Sequence, residues 1–133
     1  MAGRLWVSGL GWAVAACWAV PPADATILIN EVLADPPALI GDANQDGVVS
    51  ATQDEFVELA NTAPDAVSLA GWTLADDLKI RRVFALDAAV PGYGFLVTFG
   101  GLGLNNAGDT VMLRDADGKP VDVFSYGPEG GQD

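Results

Sequence analysis

The residues best placed for chemistry lie in "GDANQDGVVSATQDEF", residues 41–56. Starting at Asp42, oxygen-bearing side chains recur at every second position, Asp42, Asn44 and Asp46, followed by Gly47, by Val48 with its backbone carbonyl, and by Ser50. A calcium loop of the EF-hand type needs oxygen ligands at positions 1, 3, 5, 7, 9 and 12, with glycine at 6 for the sharp turn. Counted from Asp42, the first nine positions match. The twelfth is Gln53, and carboxylates arrive just after it, at Asp54 and Glu55. A hard cation prefers a carboxylate there, so the loop is either one residue longer than the standard form or closes on a weaker ligand. The chemistry expected is structural Ca2+ binding, because short acidic and amide side chains converging on one turn repel or stay unpaired unless a cation joins them. The competing reading is an Asx-rich surface turn, which favours the same residue types.

Other chemistry finds little material. The chain has no histidine, which removes the commonest general base, the usual nucleophile triads and most zinc sites. Lys79 and Lys119 sit among turn or surface residues, and Asp76 and Asp77 are neighbours in a turn. Glu58 reads as a strand-surface or supporting residue, and so small a chain has little to build a walled pocket with. The expectation is that the protein is not an enzyme. "GGLGLNNAG", 100–108, resembles a phosphate-binding glycine loop only superficially. Asn106 stands where the third glycine should fall, and no helix or Lys-Ser/Thr pair follows. It reads as a flexible connection between strands.

The elements that must hold the loop are short. "TILINEVL", 26–33, is rich in branched apolar residues and reads as a first strand, ended by Asp35-Pro36-Pro37. After the loop, "EFVEL" is better a strand than the exit helix of an EF-hand or dockerin, because Asn61, Thr62 and Pro64 follow too soon. "AGWTLAD" and "IRRVFAL" are short apolar pieces between turn formers. In "YGFLVTF", alternation puts Tyr93, Phe95, Val97 and Phe99 on one face, which is expected to lie in the core. "TVMLR" and "VDVFSY" flank a hairpin turn at Asp115-Ala116-Asp117-Gly118. Seven or so short strands with no helix predict an all-β, immunoglobulin-like antiparallel sandwich, with the loop inserted between the first and second strands.

The N-terminus has the layout of a signal peptide: a basic start up to Arg4, an uncharged apolar run over 5–20 and an A-x-A ending at Ala25. The run is short for a membrane span. Cleavage after Ala25 gives a secreted product. Val14-Ala15-Ala16-Cys17 also fits the pattern for acylation at Cys17, giving a lipoprotein, and an uncleaved anchor is the third option. Cleavage after Ala25 discards the only cysteine, so no disulfide can form. It also removes one base and one acid, Arg4 and Asp24, leaving the net charge at −12. Such a surface repels phosphate backbones and anionic lipids, so nucleic acid is excluded as a partner. The basic run Lys79-Ile80-Arg81-Arg82 reads as the solvated edge of a strand.

Five segments in order, "ILINEVLADPP", "GDANQDG" with "DEFVELANT", "VSLAGWTLAD", "LNNAGDTVMLRDADGKPVD" and "FSYG", resemble the bacterial lamin-tail-like domains, which share an immunoglobulin-like fold with nuclear lamin tails. The resemblance runs from Ile27 to Gly127. It implies a non-catalytic, secreted or cell-surface module that contacts a protein or cell-surface partner. In bacteria such modules are often joined to nucleases, phosphatases or adhesive domains, so an accessory domain or fragment of a larger extracellular hydrolase is the alternative. Carried over, the calcium loop selects Asp42, Asn44, Asp46, Val48 through its carbonyl, and Asp54, with Asp35 and Glu55 as secondary candidates and Trp72 in the core. Members usually continue past "SYG" into a segment with Ser and Arg that completes the domain. Here a polar tail follows, which implies a missing last strand, through either a truncated frame or an edge left for a partner. The organisation expected is a signal peptide at 1–25, the sandwich at 26–127 with its insertion at about 35–54, and the tail at 128–133.

Overall fold

A computed structural model describes residues 27–127. The expected signal peptide, the alternative acylation at Cys17 and the polar tail fall outside the described residues. Among those described there are nine strands and no helix: β1 (Ile27–Leu33), β2 (Phe56–Asn61), β3 (Val67–Ser68), β4 (Thr73–Ala75), β5 (Ile80–Val83), β6 (Ala89–Val90), β7 (Phe95–Phe99), β8 (Asp109–Arg114) and β9 (Pro120–Tyr126). Branched and aromatic residues dominate these segments, and Pro, Gly, Asn and Asp punctuate the connections between them.

All strand pairs are antiparallel. One sheet has the order β1-β2-β7, a second β5-β4-β8-β9, and β3 and β6 form a two-stranded ribbon. The core draws on both larger sheets, with Ile27, Val57 and Leu59 from the first and Leu74, Val111 and Leu113 from the second. Each fully buried aliphatic side chain contributes roughly 1.5–3 kcal/mol relative to exposure. This is the immunoglobulin-like sandwich that the strand pattern predicts. Phe56 pairs with Leu33, so the whole insertion is the connection of one hairpin.

The aromatic face of β7 is a correction. Phe95, Val97 and Phe99 are 57, 37 and 36% exposed, while Leu96 packs on the core. The register gives the reason. Leu96 lies opposite Leu59 and Thr98 opposite Val57, both of which are buried, so the odd-numbered residues must face out with Ala60, Glu58 and Phe56. Alternation says which residues share a face, and the neighbouring strand decides which face is inside. A second correction concerns 100–108. Leu102 and Leu104 are buried core residues, so this stretch is anchored and not a loose connection.

Three side chains tie the elements together. At one side of the sandwich, Arg82 of β5 donates to the carbonyls of Phe99 and Gly100, at 2.7 Å each. At the other, the Asp122 carboxylate of β9 accepts from the Ile29 amide of β1 at 2.8 Å, beside the β1 bulge. Asn61, buried at the end of β2, donates to the carbonyls of Asp65 (2.8 Å) and Val90 (3.3 Å) and accepts from the Ala63 amide (2.9 Å).

Candidate functional site

The 42–54 loop is wound by its own side chains. The Asp42 carboxylate accepts from the amides of Asp46 (3.1 Å) and Gly47 (3.0 Å), the Asn44 side-chain oxygen accepts from the Asp46 amide (2.9 Å), and Asp46 accepts from the Val48 amide (2.8 Å). The bonds accepted by Asn44 and Asp46, each from the amide two residues on, are Asx turns, which Asp and Asn form readily. Gln45 and Gly47 have φ of 60° and 87°, the left-handed conformations that fold the chain back on itself. Asn44 also donates to Asp46 at 3.2 Å.

Asp54 sits at the base of this turn and is fully buried. One oxygen accepts from the Asn44 amide (3.1 Å), the other from the Ser50 amide (2.7 Å), while the Asp54 amide donates back to the Ser50 carbonyl (3.0 Å). The Ser50 amide above all, with those of Asn44 and Ala43, outweighs burial and holds this carboxyl below its usual value. The structure therefore brings Asp42, Asn44 and Asp46 onto one turn with Asp54 beneath it. Val48 is exposed, and the group it engages is its amide. Among the described residues, no three or more His, Cys, Asp or Glu are grouped as they would be to hold a metal. The oxygens of Asp42, Asn44, Asp46 and Asp54 are of the hard type that suits Ca2+, and each of these four side chains accepts from at least one backbone amide.

The secondary candidates belong elsewhere. Asp35 accepts from the Asn106 side chain at 2.9 Å. Glu55 is buried and accepts from the Gly103 amide at 3.1 Å. Burial pushes the Glu55 carboxyl up, opposed by the Leu104 and Gly103 amides and by Arg81. Glu55, Asp76, Arg81, Asn105 and Asp109 line an open cleft of about 700 Å³. Asp76 is buried there, bonded to Arg81 and to the amides of Leu78 (2.9 Å) and Lys79 (2.7 Å). Burial alone would raise its carboxyl, but the Lys79 amide, Arg81 and the Leu78 amide bring it below the usual range. Tyr126 has its hydroxyl pushed up to about 12 by burial and by the charges of Asp109 and Glu55. Of these groups, Asp76 and Arg81 hold each other in place. Sequence reasoning missed the burial of Glu55 and Asp76, whose only signal was the acid-then-base spacing from Asp76 to Arg81.

The all-β sandwich and the order of its segments agree with one family. The family model of the lamin tail domain matches residues 21–128. The chain belongs to that family. No curated protein matches it. Lamin tail domains are immunoglobulin-like and non-catalytic, and they form interaction or structural modules. Within the described part of this lamin tail domain, no helix is long and apolar enough to cross a membrane.

Proposed function

We propose that this lamin tail domain is a secreted or cell-surface interaction and structural module, itself without catalytic activity, whose 42–54 loop is stabilised by Ca2+. The observation that carries the calcium reading is Asp54, a buried carboxylate that ties the turn bearing Asp42, Asn44 and Asp46 to the start of β2. A cation drawn to this turn would exchange amide contacts for ionic ones and cross-link the insertion to the sheet. Asp42, Asn44, Asp46 and Asp54 would supply side-chain oxygens and Val48 its carbonyl. The N-terminal pattern supports export, with Cys17 as the attachment point if acylation replaces cleavage after Ala25.

Thermal melting of the chain in calcium, in magnesium and in chelator tests this. At one hundred times the dissociation constant, a bound ion adds about 2.7 kcal/mol. Calcium alone should raise the midpoint, and Asp46→Ala should abolish the rise. Superimposed melts would reject the metal and leave a polar turn.

A further inference from the structure

The outer face of the β1-β2-β7 sheet combines exposed apolar surface with a pair of like charges. It is apolar and aromatic: Phe95, Val97 and Phe99 project from β7, and Phe56 beside them meets Phe99 edge to face at 5.6 Å. At its centre stand two like charges. Glu31 of β1 lies directly opposite Glu58 of β2, and Glu58 in turn lies opposite Val97 of β7. Directly opposed residues on one face of an antiparallel pair have Cβ atoms about 4.5–5.5 Å apart, where like charges destabilise the sheet. Glu58 accepts a hydrogen bond from the neutral Asn30 side chain at 2.7 Å. Arg82 of β5 spends its guanidinium on backbone carbonyls at the end of β7.

We propose that this face docks an extended segment of a different protein, one that presents a Lys or Arg between apolar side chains. Its cation would sit over Glu31 and Glu58 and turn their repulsion into attraction. Its flanking apolar groups would cover Phe56 and Phe99 at one end and Phe95 at the other. Charge complementarity selects this occupant. A second copy of the chain would bring two more carboxylates to the same spot, and a phosphate surface would meet the same repulsion. Alternate residues of an extended segment share one face, so apolar, cationic and apolar groups two residues apart match the Phe56, Glu58, Ala60 row.

This inference rests on the module reading and names the surface that reading leaves open. The test uses the end-capped peptide Leu-Thr-Arg-Thr-Leu and its Leu-Thr-Glu-Thr-Leu counterpart, titrated into the labelled chain and followed by NMR. The Arg peptide should give saturable shifts on β1, β2 and β7, with at least a tenfold weaker response to the Glu peptide. Glu58→Gln and Phe95→Thr should each weaken the Arg peptide several-fold, and Glu58→Gln should raise the urea midpoint of the free chain by relieving Glu31. Equal response to both peptides, no saturable shift, or unchanged binding by the variants overturns the assignment. Shifts confined to another surface also overturn it while leaving the module reading intact. The calcium part of that reading fails separately, on the melts.

Discussion

Asp54 and Glu55 are consecutive, both buried, and turned to opposite partners: Asp54 to the amides of Asn44 and Ser50, Glu55 to the amide of Gly103. One residue step at the entry to β2 thus clamps the insertion on one side and the β7–β8 connection on the other. The two carboxyls are shifted in opposite directions, because amide donors prevail at Asp54 and burial prevails at Glu55.

Their pH signatures should therefore oppose. Asp54 has a depressed folded-state value, so its contribution is complete above its ordinary value of 3.8 and is lost as pH falls through the folded one. Asp54→Asn should flatten the acid limb of stability against pH and lower the urea midpoint near neutrality more than Asp46→Asn does.

Glu55 behaves the other way. Its folded-state value is raised, so its contribution is present below the ordinary 4.5 and is lost as pH rises through the folded value. Glu55→Gln keeps an acceptor for Gly103 without the buried charge. Urea titrations should find it more stable than wild type at pH 7, with the difference gone well below pH 4.5.

Asn61 satisfies two carbonyls and one amide from the segments around it. Asn61→Ala should cost about 1–3 kcal/mol in urea unfolding, the range for leaving buried polar groups unpaired. A loss within error would mean that water replaces the side chain.

The outward face of β7 predicts unequal costs. Phe95→Thr should change stability by no more than about 0.5 kcal/mol, as surface substitutions usually do. Leu59→Ala, in the core, should cost about 2–5 kcal/mol. A reversed ranking would put the aromatic face inside after all.

Much of the fold was legible in the sequence because local rules govern it. Period-two alternation marked the strands, Asp35-Pro36-Pro37 ended β1, and Gly118, with φ of 81°, closed the last hairpin. The choice of face in β7 was not legible, since it depends on where Leu59 and Val57 place Leu96 and Thr98 across the ladder. Nor was the burial of Leu102 and Leu104, because three positive-φ glycines made their surroundings look loose. At the candidate site, the D-x-N-x-D-G spacing located the turn. The role of Asp54 as its buried base was not legible, because it depends on how the turn folds the Asn44 and Ser50 amides onto that one carboxylate.

The contacts of Arg82 and Asp122 bear on polymerisation. Strand edges invite another chain to add to the ladder, and folded proteins commonly guard them with charge. Here each side of the sandwich is guarded by an ionic group from the four-stranded sheet, used with opposite sign: a guanidinium occupies carbonyls at the end of β7, and a carboxylate occupies an amide on β1. Removing either group would free backbone at an edge, so Arg82→Ala and Asp122→Ala should promote fibrillar association under conditions where the parent chain stays dispersed.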